Sequence, residues 1–130
     1  MLLLGAMIGL GAATAVEHEP SAPMAAIQPM AVRVVDGDTF WLGRDKIRIA
    51  DIDTPELRAR CPAEAALAAQ ATARLRVLLA DGRFELHGDD TDRYGRKLRT
   101  VVRDGRSVGG MLVAEGLARD WTGQREPWCA

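Results

Sequence analysis

Three short clusters in this sequence combine carboxylates or guanidiniums with turn-forming residues. The first is Asp36-Gly37-Asp38-Thr39. The second is Asp51-Ile52-Asp53-Thr54-Pro55-Glu56, shortly after Arg48. The third is Thr91-Asp92-Arg93-Tyr94-Gly95-Arg96. Each has an ordinary reading by itself. Asp-Gly is a common hairpin signal. The second cluster suits a solvated acidic loop. The third suits a turn with Gly95 at positive φ. Together they are more specific. Asp36, Asp38, Asp51, Asp53 and Glu56 lie close in sequence at the ends of predicted strands. There they offer the hard oxygen ligands that calcium or magnesium takes. Phosphodiester hydrolysis needs a metal to polarise oxygens, cations to hold the charge, and a base for water. Carboxylates from two strand ends, Arg48 and Arg96 supply those parts. A Glu beside a metal but not bound to it suits the orientation or deprotonation of water.

The elements that must position these groups follow from pattern. Residues 31–35 form a β-branched run, Asp36-Gly37 a turn, and residues 39–42 a returning strand. Phe40 and Trp41 fall on opposite faces, so one is core and the other exposed. Gly43-Arg44-Asp45 turns the chain into a strand over 46–50, with Ile47 and Ile49 on one face and Arg48 on the other. Alternation fails at Asp51 and Ile52, where that strand must end or bend. Pro62 suits the first helical turn, and Glu64 suits the positive end of its dipole. Leu67, Ala71, Leu75, Leu78 and Leu79 mark the buried face, and Gly82 stops the helix. Residues 83–87 alternate as a strand with Phe84 and Leu86 inward, and 97–103 form another strand, turned by Asp104-Gly105. Ser107 caps a second, short helix, with Val108, Met111 and Leu112 inward and Gly116 at its end. The reading is α+β: five short strands closing into an OB-fold barrel, with two helices.

Composition sets the outer limits. With 130 residues there is room for one domain. A hydrophobic fraction of 48% and a charged fraction of 27% exclude a disordered chain. Two Cys exclude a disulfide-dense scaffold and a four-Cys zinc ribbon. The net charge of −1 excludes a histone-like binder. Setting aside the five clustered acids leaves 13 acids against 17 basic residues, a remainder of +4. That remainder suits modest, salt-sensitive binding to nucleic acid. Of the basic residues 15 are Arg, which favours planar recognition of phosphate.

Residues 1–15 are read as a signal peptide or an uncleaved membrane anchor. Their apolar run is short, no Lys or Arg precedes it, and Ala13-Thr14-Ala15 resembles a cleavage site. Residues 16–30, with Pro20, Pro23 and Pro29, form a linker. The folded domain spans 31–130. Export is therefore expected, to periplasm or exterior. An even Cys count, export and positions outside the predicted core favour a disulfide between Cys61 and Cys129, two free thiols being the alternative.

The segments 35–39, 47–56 and 91–96 resemble the staphylococcal nuclease family, and Gly116-Leu117-Ala118 resembles the end of its second helix. The resemblance covers 31–121. It implies an OB-fold nuclease that cuts DNA and RNA with calcium and leaves 3′-phosphate ends. It implies Asp38 and Asp53 as carboxylate ligands of calcium and Thr54 as a carbonyl ligand. Glu56 matches the general base, Arg48 and Arg96 the phosphate-holding guanidiniums, and Arg93 and Tyr94 the contacts to a terminal phosphate. Three features depart from the pattern. The loop after Glu56 is short and carries Cys61. No long third helix follows Trp121. The base-stacking aromatics are out of register, leaving Trp121 or Trp128 as substitutes. A monomer with no stable protein partner is expected. The alternative is a catalytically silent OB module that binds nucleic acid or protein. The presence of Arg48, Glu56 and Arg96 together favours the enzyme.

Overall fold

A computed structural model describes Gly9, residues 11–13 and residues 31–130. The two leader assignments, 1–15 and 16–30, lie almost wholly outside the described residues. The elements run β1 (Val32–Asp36), β2 (Thr39–Leu42), β3 (Asp45–Ile49), β4 (Ile52–Asp53), α1 (Pro62–Leu79), β5 (Glu85–His87), β6 (Lys97–Arg103), β7 (Arg106–Ser107), α2 (Val108–Ala114) and β8 (Arg119–Asp120). The main sheet has the order β1-β2-β3-β6-β5, with β7 beside β6. β3 and β6 pair in parallel, and the other neighbours are antiparallel. The five expected strands are those of this path, in an α+β fold with two helices. Among the described residues no β1–β5 pairing closes the sheet, so the barrel is a partly open one.

Pattern missed three short strands. β4 and β8 make a separate ladder, Ile52 opposite Asp120 and Asp53 opposite Arg119, and β7 flanks β6. Two-residue strands have no period to read. The strand expected over 83–87 is shorter, Glu85–His87. The first turn is displaced by one residue. Asp36 pairs with Thr39 after an irregularity between Val34 and Asp36, so the loop is Gly37-Asp38. Gly37 is needed there for space. A Cβ on it would lie 2.8 Å from the Ala71 side chain and 2.9 Å from that of Thr54.

The core is built from Phe40, Ile47, Ile49, Ile52, Leu75, Leu79, Val101 and Leu112, all buried. Removing a side chain such as Leu75 back to Ala should cost about 2–5 kcal/mol. Phe40 enters this core, while Trp41 stays half-buried with Arg33 and Lys46 each 5.6 Å from its ring. α1 starts at Pro62 and presents Ala68, Ala71, Leu75, Leu78 and Leu79 inward. Its small residues let the β1–β2 turn approach closely. The Ser107 hydroxyl caps α2 by accepting from the Gly110 N–H at 3.0 Å and donates to Asp51 Oδ2 at 2.9 Å. Gly109 makes room for that carboxylate, since a Cβ there would sit 2.8 Å from Asp51 Oδ1. Asp51 thereby ties α2 to the β3–β4 corner. Among the described residues, no helix is long and apolar enough to cross a membrane.

Candidate active site

One groove of about 630 Å³ is lined by residues from all three sequence clusters, including Asp36, Asp38, Arg48, Glu56, Arg93, Tyr94 and Arg96. The β1–β2 turn brings Asp38, the β3 strand brings Arg48, and the turn before β6 brings Arg96, while Asp53 on β4 sits beside Arg48 without lining the groove. The acids are tightly braced. Asp38 Oδ1 accepts the Thr39 hydroxyl at 2.9 Å, and its Oδ2 accepts the Thr54 N–H at 3.3 Å. Asp36 Oδ1 accepts the Asp38 N–H at 3.1 Å. Arg48 is buried on β3, and its Nη1 donates to the carbonyls of Ile49 and, at 2.8 Å, Ile52. Its Nη2 faces Asp38 Oδ2 at 3.4 Å and Asp53 Oδ1 at 3.9 Å. The guanidinium also lies 5.7 Å from the Trp121 ring.

Crowded acids in a dry site resist ionisation. Burial, and then the neighbouring Asp38, push the Asp36 carboxyl from 3.8 up to about 7. Burial also raises Asp53, against the lowering effect of Arg125. Asp53 Oδ1 is buried and has no hydrogen-bond partner. Such an oxygen, flanked by a second carboxylate and the adjacent Thr54, fits a hard cation. One group of three metal-ligating side chains draws closely together among the described residues, Cys61, Glu64 and Cys129. Its two sulfurs are bonded to each other, so it is not a metal centre.

On the far wall, Arg96 Nε donates to Asp92 Oδ2 at 2.6 Å, and its guanidinium lies 5.4 Å from the Tyr94 ring. Asp92 Oδ1 also accepts the N–H groups of Tyr94 and Arg96, each at 2.9 Å. Burial favours the neutral Asp92 carboxyl, but these bonds from Arg96 and Tyr94 outweigh it and hold its pKa low. Arg93 donates to the Tyr94 hydroxyl at 2.6 Å at the exposed rim.

Against this geometry the sequence comparisons are decisive. The chain matches the model of staphylococcal nuclease homologues over residues 46–127. It belongs to the staphylococcal nuclease family. It is 36% identical over 94 residues to endonuclease YncB of Bacillus subtilis, covering 67% of this chain and 44% of that protein. It is 38% identical over 94 residues to the prophage-derived endonuclease YokF of the same organism, covering 67% of this chain and 32% of that protein. It is also 34% identical over 126 residues to protein ParB of Escherichia coli, covering 87% of this chain and 68% of that protein. The chain thus spans less than half the length of the two Bacillus endonucleases.

Set beside the family's pattern, Asp38, Arg48, Glu56, Arg93, Tyr94 and Arg96 line the groove, while Thr54 bonds to Asp38 and Asp53 lies beside Arg48 without lining it. Asp51, equal to Asp53 in the sequence pattern, turns instead to Ser107. Arg125, which no sequence pattern singles out, pairs with the Glu56 carboxylate and lies 3.9 Å from Asp53 Oδ1. Its segment is held by the Cys61–Cys129 disulfide, whose Cα atoms are 6.1 Å apart. Trp121 is partly exposed at the groove, as a base-stacking substitute must be. Trp128 stacks against Arg119, 3.7 Å from its ring, and lines a neighbouring cavity with Glu56. By sequence Asp92 looks like a turn residue only. Its fourfold spacing to Arg96 was the available signal.

Proposed function

We propose that this protein hydrolyses phosphodiester bonds of DNA and/or RNA with bound calcium, leaving 3′-phosphate ends. The observation that carries the reading is the convergence of Asp38, Glu56, Arg48 and Arg96 on one groove, with Asp53 beside Arg48 and its buried Oδ1 lacking a hydrogen-bond partner. Asp38, Asp53 and the Thr54 carbonyl would hold the calcium, which supplies Lewis-acid polarisation of the phosphate. Glu56 takes a proton from water, whose oxygen attacks phosphorus. Arg48 and Arg96 hold the non-bridging oxygens as negative charge builds. The bond from phosphorus to the 5′ oxygen breaks, that oxygen acquires a proton from solvent, and the phosphate stays on the 3′ side. Arg93 and Tyr94 receive a terminal phosphate at the rim. Arg125, more than half exposed, exchanges the Glu56 carboxylate for substrate phosphate.

A disulfide beside the groove suits an oxidising compartment. The protein accordingly acts after export, as a monomer, with residues 1–15 as signal peptide or anchor. The test is digestion of single-stranded DNA with calcium and with a chelator, followed by analysis of the product ends. Calcium-dependent cleavage yielding 3′-phosphates is expected, and Asp38→Ala should abolish it in a folded protein. Unchanged calcium-dependent cleavage by that variant would sink the assignment. Retained DNA binding without cleavage by the wild type would leave the binding-module reading.

A further inference from the structure

Glu64 occupies the third position of α1, where an acidic side chain ordinarily meets water and the helix dipole. Here the residue is 5% exposed. In a capping box its carboxylate would return to the N–H of the N-cap residue, Cys61. It reaches past that residue instead. Oε1 accepts the Glu56 N–H at 3.2 Å, and Oε2 accepts the Arg60 N–H at 3.0 Å. The loop between β4 and α1 is thus held at both ends by one buried carboxylate. The Cys129 sulfur, bonded to Cys61 and carrying no proton, lies 3.2 Å from Oε2 and covers it without donating.

We propose that Glu64 is a positioning residue for Glu56, fixing the backbone of the residue that presents the base to the groove. The inference rests on the reading of Glu56 as general base. Both Glu64 oxygens accept from main-chain N–H groups, so the position requires a carboxylate and not merely its shape. A Gln of the same size would turn an amide NH2 toward one of those N–H groups. Two donors would then face each other in a dry site, and the loop would release one end. Reaction geometry tolerates little such movement, and a displacement of about 1 Å can cost on the order of 100-fold in rate.

The experiment compares the full chain with Glu64→Gln in three measurements: amide hydrogen exchange at Glu56 and Arg60, calcium affinity by calorimetry, and kcat and KM on single-stranded DNA. Faster exchange at one or both amides is expected, with kcat lowered about tenfold or more and KM and calcium affinity nearly unchanged. Leu78→Ala, a core change away from the groove, serves as the control for lost stability and should keep its kcat below its melting temperature. Glu64→Asp keeps both acceptors but withdraws them by one methylene, and should give a smaller loss of the same kind. Wild-type kcat in Glu64→Gln, or a loss confined to calcium affinity, overturns the proposal. So does wild-type kcat in Glu64→Asp if the Gln variant fails to fold. Absence of cleavage by the wild type would defeat the nuclease reading instead. The exchange measurement then still decides the role of Glu64, and equal protection in both proteins overturns it.

Discussion

Arg48 and Arg96 are proposed to share one task, yet they stand on different foundations. The Arg48 side chain is 9% exposed, and carbonyls, carboxylates and an aromatic face surround it. The Arg96 side chain is 28% exposed, and Asp92 holds it from within its own turn. A buried guanidinium must be balanced on every side, so the β3–β4 corner is as much a part of the fold as of the site. A guanidinium at the rim keeps its hydration and needs only local aim. The acids differ in the same way: Asp38 and Asp53 depend on partners from other strands, Arg48 for both and the β4–β8 ladder for Asp53, whereas Asp92 serves its immediate neighbours.

This contrast breaks most visibly at Arg48. Replacing it with Ala leaves Asp38 and Asp53 uncompensated in a buried place. Activity should vanish, and stability should fall by about 3–5 kcal/mol, read as a large drop in Tm. A stable, correctly folded Arg48→Ala protein would deny the structural half of its role.

Arg96→Lys should lower kcat by about 100-fold, comparable to removing an oxyanion donor, because Lys lacks the planar fork. Its stability should change by no more than about 0.5 kcal/mol. A change confined to KM would mark Arg96 as a ground-state contact only.

Asp92→Asn keeps the shape of the turn but removes the charge that aims Arg96. A kcat loss on the order of tenfold is expected, since aim is impaired and the guanidinium retained. Its folded pKa is lowered, so its contribution to stability is present above the ordinary 3.8 and is lost as pH falls through the folded value. The Asn variant should lack that acid-side loss in thermal melts.

The last effect, on stability and not on rate, concerns Asp36. Its folded carboxyl titrates near 7, above its ordinary 3.8, so the fold favours the neutral form. In chelator, stability should therefore fall as pH rises from about 4 to about 7. Asp36→Asn should flatten that slope, and calcium should oppose it in the parent protein. An identical pH profile for the two proteins in chelator would place the titration elsewhere.

Much of the architecture was legible because its signals are local. Pro62 marks the start of α1, and Gly82 and Gly116, with φ of 69° and 73°, follow the two helices. Alternating Ile47 and Ile49 fixed the core face of β3. The groups at the site were legible because the three clusters keep the family's order and spacing. The disulfide was expected from an even Cys count, and the structure carries it. Other features needed the path of the chain. Glu64 read as a dipole partner because nothing in the sequence says that the loop returns to it. Arg125 lies far from Glu56 in sequence and meets it only where the tail is tied back.

Asp51 and Asp53 show where sequence stops. Their type and setting are the same, and by sequence both are acids that could face a cation. The sequence determined that a strand ends there, that carboxylates cluster after it, and that arginines lie within reach in the fold. Only the tertiary structure decided which acid serves which purpose. The chain turns at Asp51, which places that carboxylate against Ser107 and α2. The short β4–β8 ladder then places Asp53 beside Arg48 and Arg125. Burial makes each assignment binding, because a carboxylate removed from water must find a donor or a cation, and those partners come from distant parts of the chain.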